Sequence, residues 1–249
     1  MLKKRIIPVL LISNDLLVKT KKFNSDRVIG NIIQSIKVFN KRESDELTII
    51  DLDASRGKGK IEIHFLKEII SECTLPLSIG GGINSRDEVK DLLNIGFDKV
   101  IINKGFLENP KLINHTVKIF GSQSITIGID IIKDRGKFKI FNKRNNNEDI
   151  DLIEWIKFVQ DQNVGEILLT SVDNEGMMNG YNYDLLDYIY KYINKPIIMN
   201  GGCGKIKDFE KILVKKKVMG ACASSIFFYT QTTPHSVKQK IRKKVDLRV

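Results

Sequence analysis

The feature that most constrains this chain is a rhythm. A short, nearly unbroken apolar run, a turn and an amphipathic stretch recur eight times in 249 residues. The apolar runs begin near Arg5, Leu47, Leu75, Lys99, Ser124, Gly165, Pro196 and Val218. Segments such as Leu47-Thr48-Ile49-Ile50 and Glu166-Ile167-Leu168-Leu169 lack apolar–polar alternation. Strands read that way when both faces are covered, as in a parallel sheet flanked by helices. Helical spacing follows most runs. Ser85-Arg86-Asp87-Glu88 opens one helix with a capping box ahead of Val89, Leu92 and Leu93, and Leu152 to Gln162 and Lys207 to Lys216 carry the same pattern. Eight β/α units in about 250 residues predict one α/β domain of the (β/α)8, or TIM barrel, class. A doubly wound open sheet also holds such strands, but gives no reason for eight similar units.

The two halves of the chain echo each other. Gly80-Gly81-Gly82 finds Gly201-Gly202-Cys203-Gly204, and Asn103-Lys104-Gly105 finds Ser224-Ser225-Ile226, each 121 residues on. Asp51 finds Thr170, and the first strand finds Ile125 to Ile132, each 119 residues on. Repetition by halves predicts a duplicated half-barrel of four units. Two stretches break the regularity: Ser13 to Asp26 reads as a long first βα loop, and Lys133 to Glu148 as a long fifth one holding a small hairpin at Lys137 to Phe141. Long βα loops belong on the catalytic face of a barrel.

Forty-one Lys and Arg against thirty Asp and Glu leave a net charge of +11. Much of it sits in a basic C-terminal tail, 236–249, where six basic residues face Asp246 alone for a net +5. No recognition motif or aromatic interleaving accompanies the charge, which argues against nucleic acid. Cys73, Cys203 and Cys222 are too scattered for a disulfide framework, and no Cys-x-x-Cys pair suggests zinc, so a reducing, cytoplasmic setting is expected. Met1 to Arg5 followed by Ile6 to Ile12 imitates a secretion signal, but Pro8 and the lack of a small-residue cleavage site favour a buried strand. No apolar stretch approaches a membrane span of about 18 residues.

Three constellations carry chemistry. Gly80-Gly81-Gly82 and Gly201-Gly202-Cys203-Gly204 each end a strand and precede a helix, where bare backbone and free N–H groups suit a phosphate. Their matching positions predict a ligand phosphorylated at both ends, with polar donors from Asn103 and Ser224. Among the carboxylates, Asp130 closes Ile127-Gly128-Ile129, Asp51 and Asp53 stand two apart on a strand and so share a face, and Asp173 follows Thr170-Ser171. Asp51-x-Asp53 lacks a third ligand for a metal. Last, Arg5, Glu46, Lys99 and Glu166 sit at or just before strand starts in units one, two, four and six, alternating in sign. In a closed barrel those ends meet round the bottom opening, where the four would form a ring of ion pairs. No motif calls for a cofactor or a metal.

Taken together, the chain resembles the cyclase subunit of imidazole glycerol phosphate synthase, the HisF family of histidine biosynthesis. The resemblance runs almost end to end. It rests on Arg5-Ile6-Ile7-Pro8, Lys19, Gly80-Gly81-Gly82, Asn103, Phe120-Gly121-Ser122-Gln123, Gly165 to Ser171, Gly176 with Gly180-Tyr181, and Gly201 to Lys205. It implies a half-barrel-duplicated barrel with a bis-phosphate ligand held by Lys19, Asp51, Gly82, Asn103, Thr170, Gly176, Gly202 and Ser224. It also implies a HisH-like glutaminase partner that docks under the barrel and feeds ammonia through its centre. Arg5, Glu46, Lys99 and Glu166 then match the gate at the channel entrance, and Asp98 an interface residue facing the glutaminase.

One departure matters more than these matches. The family's cyclase uses two aspartates, on the first and fifth strands. Here the fifth is Asp130, but the first-strand position is Leu11, the neighbouring family cysteine is Val9, and Asp53 stands where the cyclase has a threonine. Leucine neither gives nor takes a proton, and losing one positioned acid or base costs about a hundred- to ten-thousand-fold in rate. Val9-Leu10-Leu11 with Leu17 to Lys21 resembles a branch of the family associated with sugar amidation in surface-polysaccharide biosynthesis, where barrel and glutaminase supply ammonia to a separate ATP-dependent amidotransferase. Three functions follow as expectations: ammonia delivery for sugar amidation; the cyclase reaction of histidine biosynthesis, with Asp130 acting alone or helped by Asp51 or Asp53; or a non-catalytic ligand-binding scaffold.

Overall fold

The structure is a computed structural model that describes residues 3–141 and 150–248. Among the described residues eleven strands form in chain order: β1 (Arg5–Ser13), β2 (Leu16–Lys21), β3 (Asn24–Asn31), β4 (Leu47–Asp51), β5 (Leu77–Gly80), β6 (Lys99–Ile102), β7 (Ile125–Asp134), β8 (Lys137–Ile140), β9 (Glu166–Ser171), β10 (Ile197–Asn200) and β11 (Val218–Ala223). Eight of them pair in parallel in the order β1-β4-β5-β6-β7-β9-β10-β11, and β11 returns to β1 through Arg5↔Gly220 to Pro8↔Ala223. The sheet is therefore closed, with helices between successive strands. This is the predicted (β/α)8 barrel, and its strands start within two residues of the sequence reading.

The unbroken apolar runs have a direct cause. Alternate residues of each strand point to opposite faces. On β1, Ile6, Leu10 and Ile12 pack outward among the helices, while Ile7 and Val9 join Ile101, Leu168, Ile198 and Cys222 in a separate cluster inside the barrel. Both faces exclude water, so both sets must be apolar.

Helix positions follow local chemistry. Ser85 caps Arg86–Ile95 while Glu88 accepts from the backbone N–H groups of Asn84 and Ser85. In the other half Asp208 accepts from Gly204 and Lys205, ahead of Ile206–Leu213. That helix ends three residues before the expected Lys216, and Leu152–Asp161 begins at Leu152 as expected, capped by Asp151. The duplication extends to backbone detail: Asn103 and Ser224 share an unusual conformation (φ −117°, ψ −90° and φ −132°, ψ −70°), and each precedes a five-residue helix.

The first βα segment differs from the expected loop. Ser13 to Asp26 is mostly strand, because Asn14 and Asp15 (φ 49° and 58°) make a tight turn of the primed kind that sends β2 back along β1, and β3 then pairs with β2. In the fifth segment β8 folds back on β7 as the expected hairpin, turning at Arg135 and Gly136. The rest of that expected loop, 142–148, lies outside the described residues, as do Met1, Leu2 and Val249. The basic C-terminal stretch packs through Val237, Ile241, Val245 and Leu247, beginning with the helix Pro234–Ile241. It is tied to the barrel floor by Lys4 N–H to Asp246 O and Arg248 N–H to Lys4 O, both 2.9 Å. No helix among the described residues is long and apolar enough to cross a membrane.

Candidate functional site

The two ends of the barrel are built differently. At the C-terminal ends of the strands lies a cavity of about 570 Å³. Its floor is Val9, Leu11, Thr48, Ile101, Leu168 and Cys222, and its rim holds both glycine-rich strand ends with Asn103, Thr170, Gly176 and Ser224. The glycines are required there. Gly82 adopts φ 63°, and a Cβ on it would lie 2.5 Å from the Ala54 carbonyl oxygen; Gly202 adopts φ 100°, and its Cβ would lie 2.1 Å from that of Gly180. Both turns bring bare backbone to the cavity edge.

Asp130 ends the inward-facing stretch of β7 beside Thr170 on β9. Asn103 Nδ2 donates to its Oδ2 at 2.7 Å. Burial pushes its pKa up to about 6, against the pull of the Thr170 and Asn103 hydrogen bonds, and nearby Glu175 pushes the same way. A carboxyl poised there changes protonation close to neutrality, as an acid or base must. Leu11, on β1 across the barrel, lines the same cavity.

Two expectations need correction. Asp51 and Asp53 do not share a strand face, because β4 stops at Asp51 and the helix Leu52–Arg56 begins at once. The Asp51 carboxylate caps that helix, accepting from the N–H groups of Ala54 (2.9 Å) and Ile61 (3.1 Å). Asp53 instead accepts from Ser13 Oγ (3.0 Å) and Asn14 N–H (2.6 Å), fixing the β1–β2 turn. Neither lines the cavity, so neither stands beside Asp130 as a substitute for the first-strand acid. Asp173 likewise holds a loop, accepting from Lys133 N–H at 2.7 Å. Among the described residues no group of three or more His, Cys, Asp or Glu is placed to hold a metal.

Lys19 also lies behind the wall. Its Nζ sits 4.3 Å from the centre of the Phe228 ring and makes no hydrogen bond among the described residues; burial lowers its pKa to about 7. Its neighbour Thr20 faces the cavity and donates to Glu175 Oε1 at 2.8 Å, while Phe23 N–H donates to Glu175 Oε2 at 3.0 Å. Sequence reasoning passed over Glu175, which pins the β2–β3 hairpin to the cavity rim. The available signal was a carboxylate just before Gly176 in the loop after β9.

At the opposite end the four charged strand starts close into a ring. Arg5 Nη1 meets Glu46 Oε2 at 2.7 Å and Arg5 Nη2 meets Glu166 Oε1 at 2.5 Å. Lys99 Nζ completes the circuit to Glu46 Oε2 at 3.0 Å and Glu166 Oε2 at 3.1 Å. Ser78 Oγ donates to the remaining Glu46 oxygen at 2.7 Å. Burial works against the charge on Glu46, but Lys99 and Arg5 outweigh it and hold its pKa below the usual carboxylate range. Between ring and cavity lies the apolar interior of Ile7, Val9, Ile101, Leu168, Ile198 and Cys222. Asp98, beside the ring on the same outer face, is exposed and accepts from Leu77 N–H at 2.8 Å.

A family model described as "Histidine biosynthesis protein" matches residues 5–233. The putative imidazole glycerol phosphate synthase subunit hisF3 of Vibrio vulnificus is 36% identical over 232 residues, which are 92% of this chain and 89% of that protein. The imidazole glycerol phosphate synthase subunit HisF of Dictyoglomus turgidum is 38% identical over 247 residues, 98% of this chain and 97% of that protein. The putative subunit hisF2 of Campylobacter jejuni is 36% identical over 246 residues, with the same coverage. The chain thus belongs to the histidine biosynthesis protein family, and within it is a HisF-like barrel subunit.

Proposed function

We propose that this HisF-like subunit receives ammonia from a HisH-like glutaminase docked on the ring face, near Asp98, and passes it along the barrel axis to the cavity. The observation that carries this reading is the closed charged ring set against an apolar interior that leads to a cavity with a polar rim. Ammonia is small and neutral, so it crosses an apolar layer that stops ammonium and hydrated ions. The ring's charge-assisted hydrogen bonds hold the entrance shut until a partner rearranges it.

The cavity takes a phosphorylated small molecule anchored at both ends, by Gly82 and Asn103 in one half and by Gly202 and Ser224 in the other. Thr170 and Gly176 line the span between them. Among the described lining residues Asp130 is the acid whose pKa lies near neutrality, and Leu11 across the cavity supplies no proton partner for it. The delivered nitrogen therefore serves amidation of a sugar in surface-polysaccharide biosynthesis, completed by an ATP-dependent amidotransferase. The hisF2 and hisF3 designations of two relatives fit a paralogue of this kind.

A second reading rests on the full-length similarity to proteins named HisF. In it the chain itself makes imidazole glycerol phosphate, with Asp130 as the sole acid–base. Complementation separates the two. A histidine auxotroph lacking its cyclase subunit should stay auxotrophic when given this chain and its glutaminase, and Leu11→Asp should improve whatever growth is seen. Robust rescue by the unaltered chain would overturn the amidation reading.

A further inference from the structure

The cavity's two halves match in backbone but not in charge. On the first-half wall stand Arg56, Lys60 and Lys104, with Glu108 the only carboxylate among the described lining residues. The second-half elements contribute Asp130 and Glu175, with no lysine or arginine among the described lining residues. The asymmetry falls within the duplicated elements: Lys104 starts the five-residue helix after Asn103, whereas Ser225 starts its counterpart after Ser224. Arg56 ends the helix Leu52–Arg56, and Lys60 follows in the same loop, so the three cations frame Gly81 and Gly82 from both sides.

The cations are already placed by carboxylates. Arg56 pairs with Asp26, Lys60 with Glu88, and Lys104 with Glu108 at 2.9 Å. Of these carboxylates only Glu108 reaches the cavity wall. The Lys60 and Lys104 side chains are 54% and 33% exposed, and ion pairs at such exposure contribute little, so a multiply charged anion competes for them easily, while Arg56, held by two hydrogen bonds to Asp26, adds its charge in place. The second half offers no such cation among the described lining residues, while Asp130, bonded to Asn103, and Glu175, bonded to Thr20, lie between the halves and suit the hydroxyl or amine donors of a ligand.

We infer that the first half is the high-charge end of the site: it binds a diphosphate-grade group, while the second half takes a group of lower charge and the two carboxylates face the donor-rich middle of the ligand. The ligand class is then an asymmetric phosphorylated sugar derivative with its diphosphate at Arg56, Lys60 and Lys104. This inference rests on the two-ended phosphate reading above.

The test is a site-resolved titration of the full chain by backbone amide NMR, with inorganic pyrophosphate and inorganic phosphate as probes. Pyrophosphate should half-saturate the Gly82 and Lys104 amides at about tenfold lower concentration than the Gly202 and Ser225 amides, with a narrower gap for phosphate. The double variant Lys60→Gln/Lys104→Gln should close the gap by weakening the first half, leaving Gly202 and Ser225 as before. Equal half-saturation in the two halves, or a second half that fills first, would overturn the asymmetry and leave the two-ended reading standing. Binding at neither half would overturn both.

Discussion

The ring and the cavity occupy opposite ends of one barrel and handle buried charge in opposite ways. In the ring each charge has its partner: two cations share two carboxylates, and Ser78 takes the spare Glu46 oxygen. In and behind the cavity wall, half-buried Asp130 and buried Lys19 have no ion pair among the described residues, and desolvation moves their pKa values to about 6 and about 7. Paired burial makes a closed seal. Unpaired burial stores a cost that a ligand or a moving proton can relieve, which is how a site is told from a seal.

Breaking the ring should have the largest effect. Glu46→Leu leaves Arg5 and Lys99 sharing Glu166 alone, and should lower unfolding stability by about 3–5 kcal/mol in urea titration. Replacing all four ring residues with apolar side chains of similar size should cost far less, because no charge is then left unpaired. If the single and fourfold variants are equally destabilised, the ring is not a coupled unit.

Asp130 should behave in the opposite sense. Its folded pKa of about 6 exceeds the unfolded value of about 4, so the folded chain holds the extra proton between them. Stability therefore falls as pH rises through that window. Asp130→Asn should gain about 2 kcal/mol at pH 7 and nothing below about pH 4, read from urea midpoints across pH. A variant less stable than the parent at pH 7 would contradict the unpaired-burial account of the cavity.

These two regions also differ in how legible they were beforehand. The barrel strands could be read because burial on both faces leaves a continuous apolar signature, as in Glu166–Ser171. The alternating signs of Arg5, Glu46, Lys99 and Glu166 were visible, but their pairing needs β11 to close on β1, and Arg5 and Glu166 are 161 positions apart. Asp53 was misplaced because nothing in Ile50-Asp51-Leu52-Asp53 marks the switch from strand to helix at Leu52, which the Asp51 cap produces. The hairpin went unread because its Asn14-Asp15 turn looked like the start of a loop. Glu175 was hidden for a different reason: its partners Thr20 and Phe23 lie more than 150 residues earlier.

Smaller effects sharpen the contrast. Glu175→Gln weakens the acceptor of Thr20 and Phe23 while Lys22 N–H still reaches the Glu175 backbone carbonyl. It should cost about 1 kcal/mol and speed hydrogen exchange in β2 and β3 relative to the barrel strands. Uniform exchange across both regions would show that Glu175 does not latch the hairpin. Lys104→Gln removes only a partly exposed i,i+4 pair and should change stability by about 0.5 kcal/mol or less.

The most direct test of the proposed conduit reconstitutes the chain with a HisH-like glutaminase and the proposed sugar amidotransferase, and compares glutamine with free ammonium as nitrogen source. In ring variants that stay folded, such as Lys99→Met, glutamine-driven product should fall at least about tenfold through leakage at the entrance, while ammonium-driven product stays within about twofold of the parent. Asp98→Ala should show the same split through weakened docking, and Asp130→Asn should leave both routes nearly intact. Equal loss from both nitrogen sources in the ring variants would contradict the conduit, leaving the ring a structural seal and the barrel a scaffold.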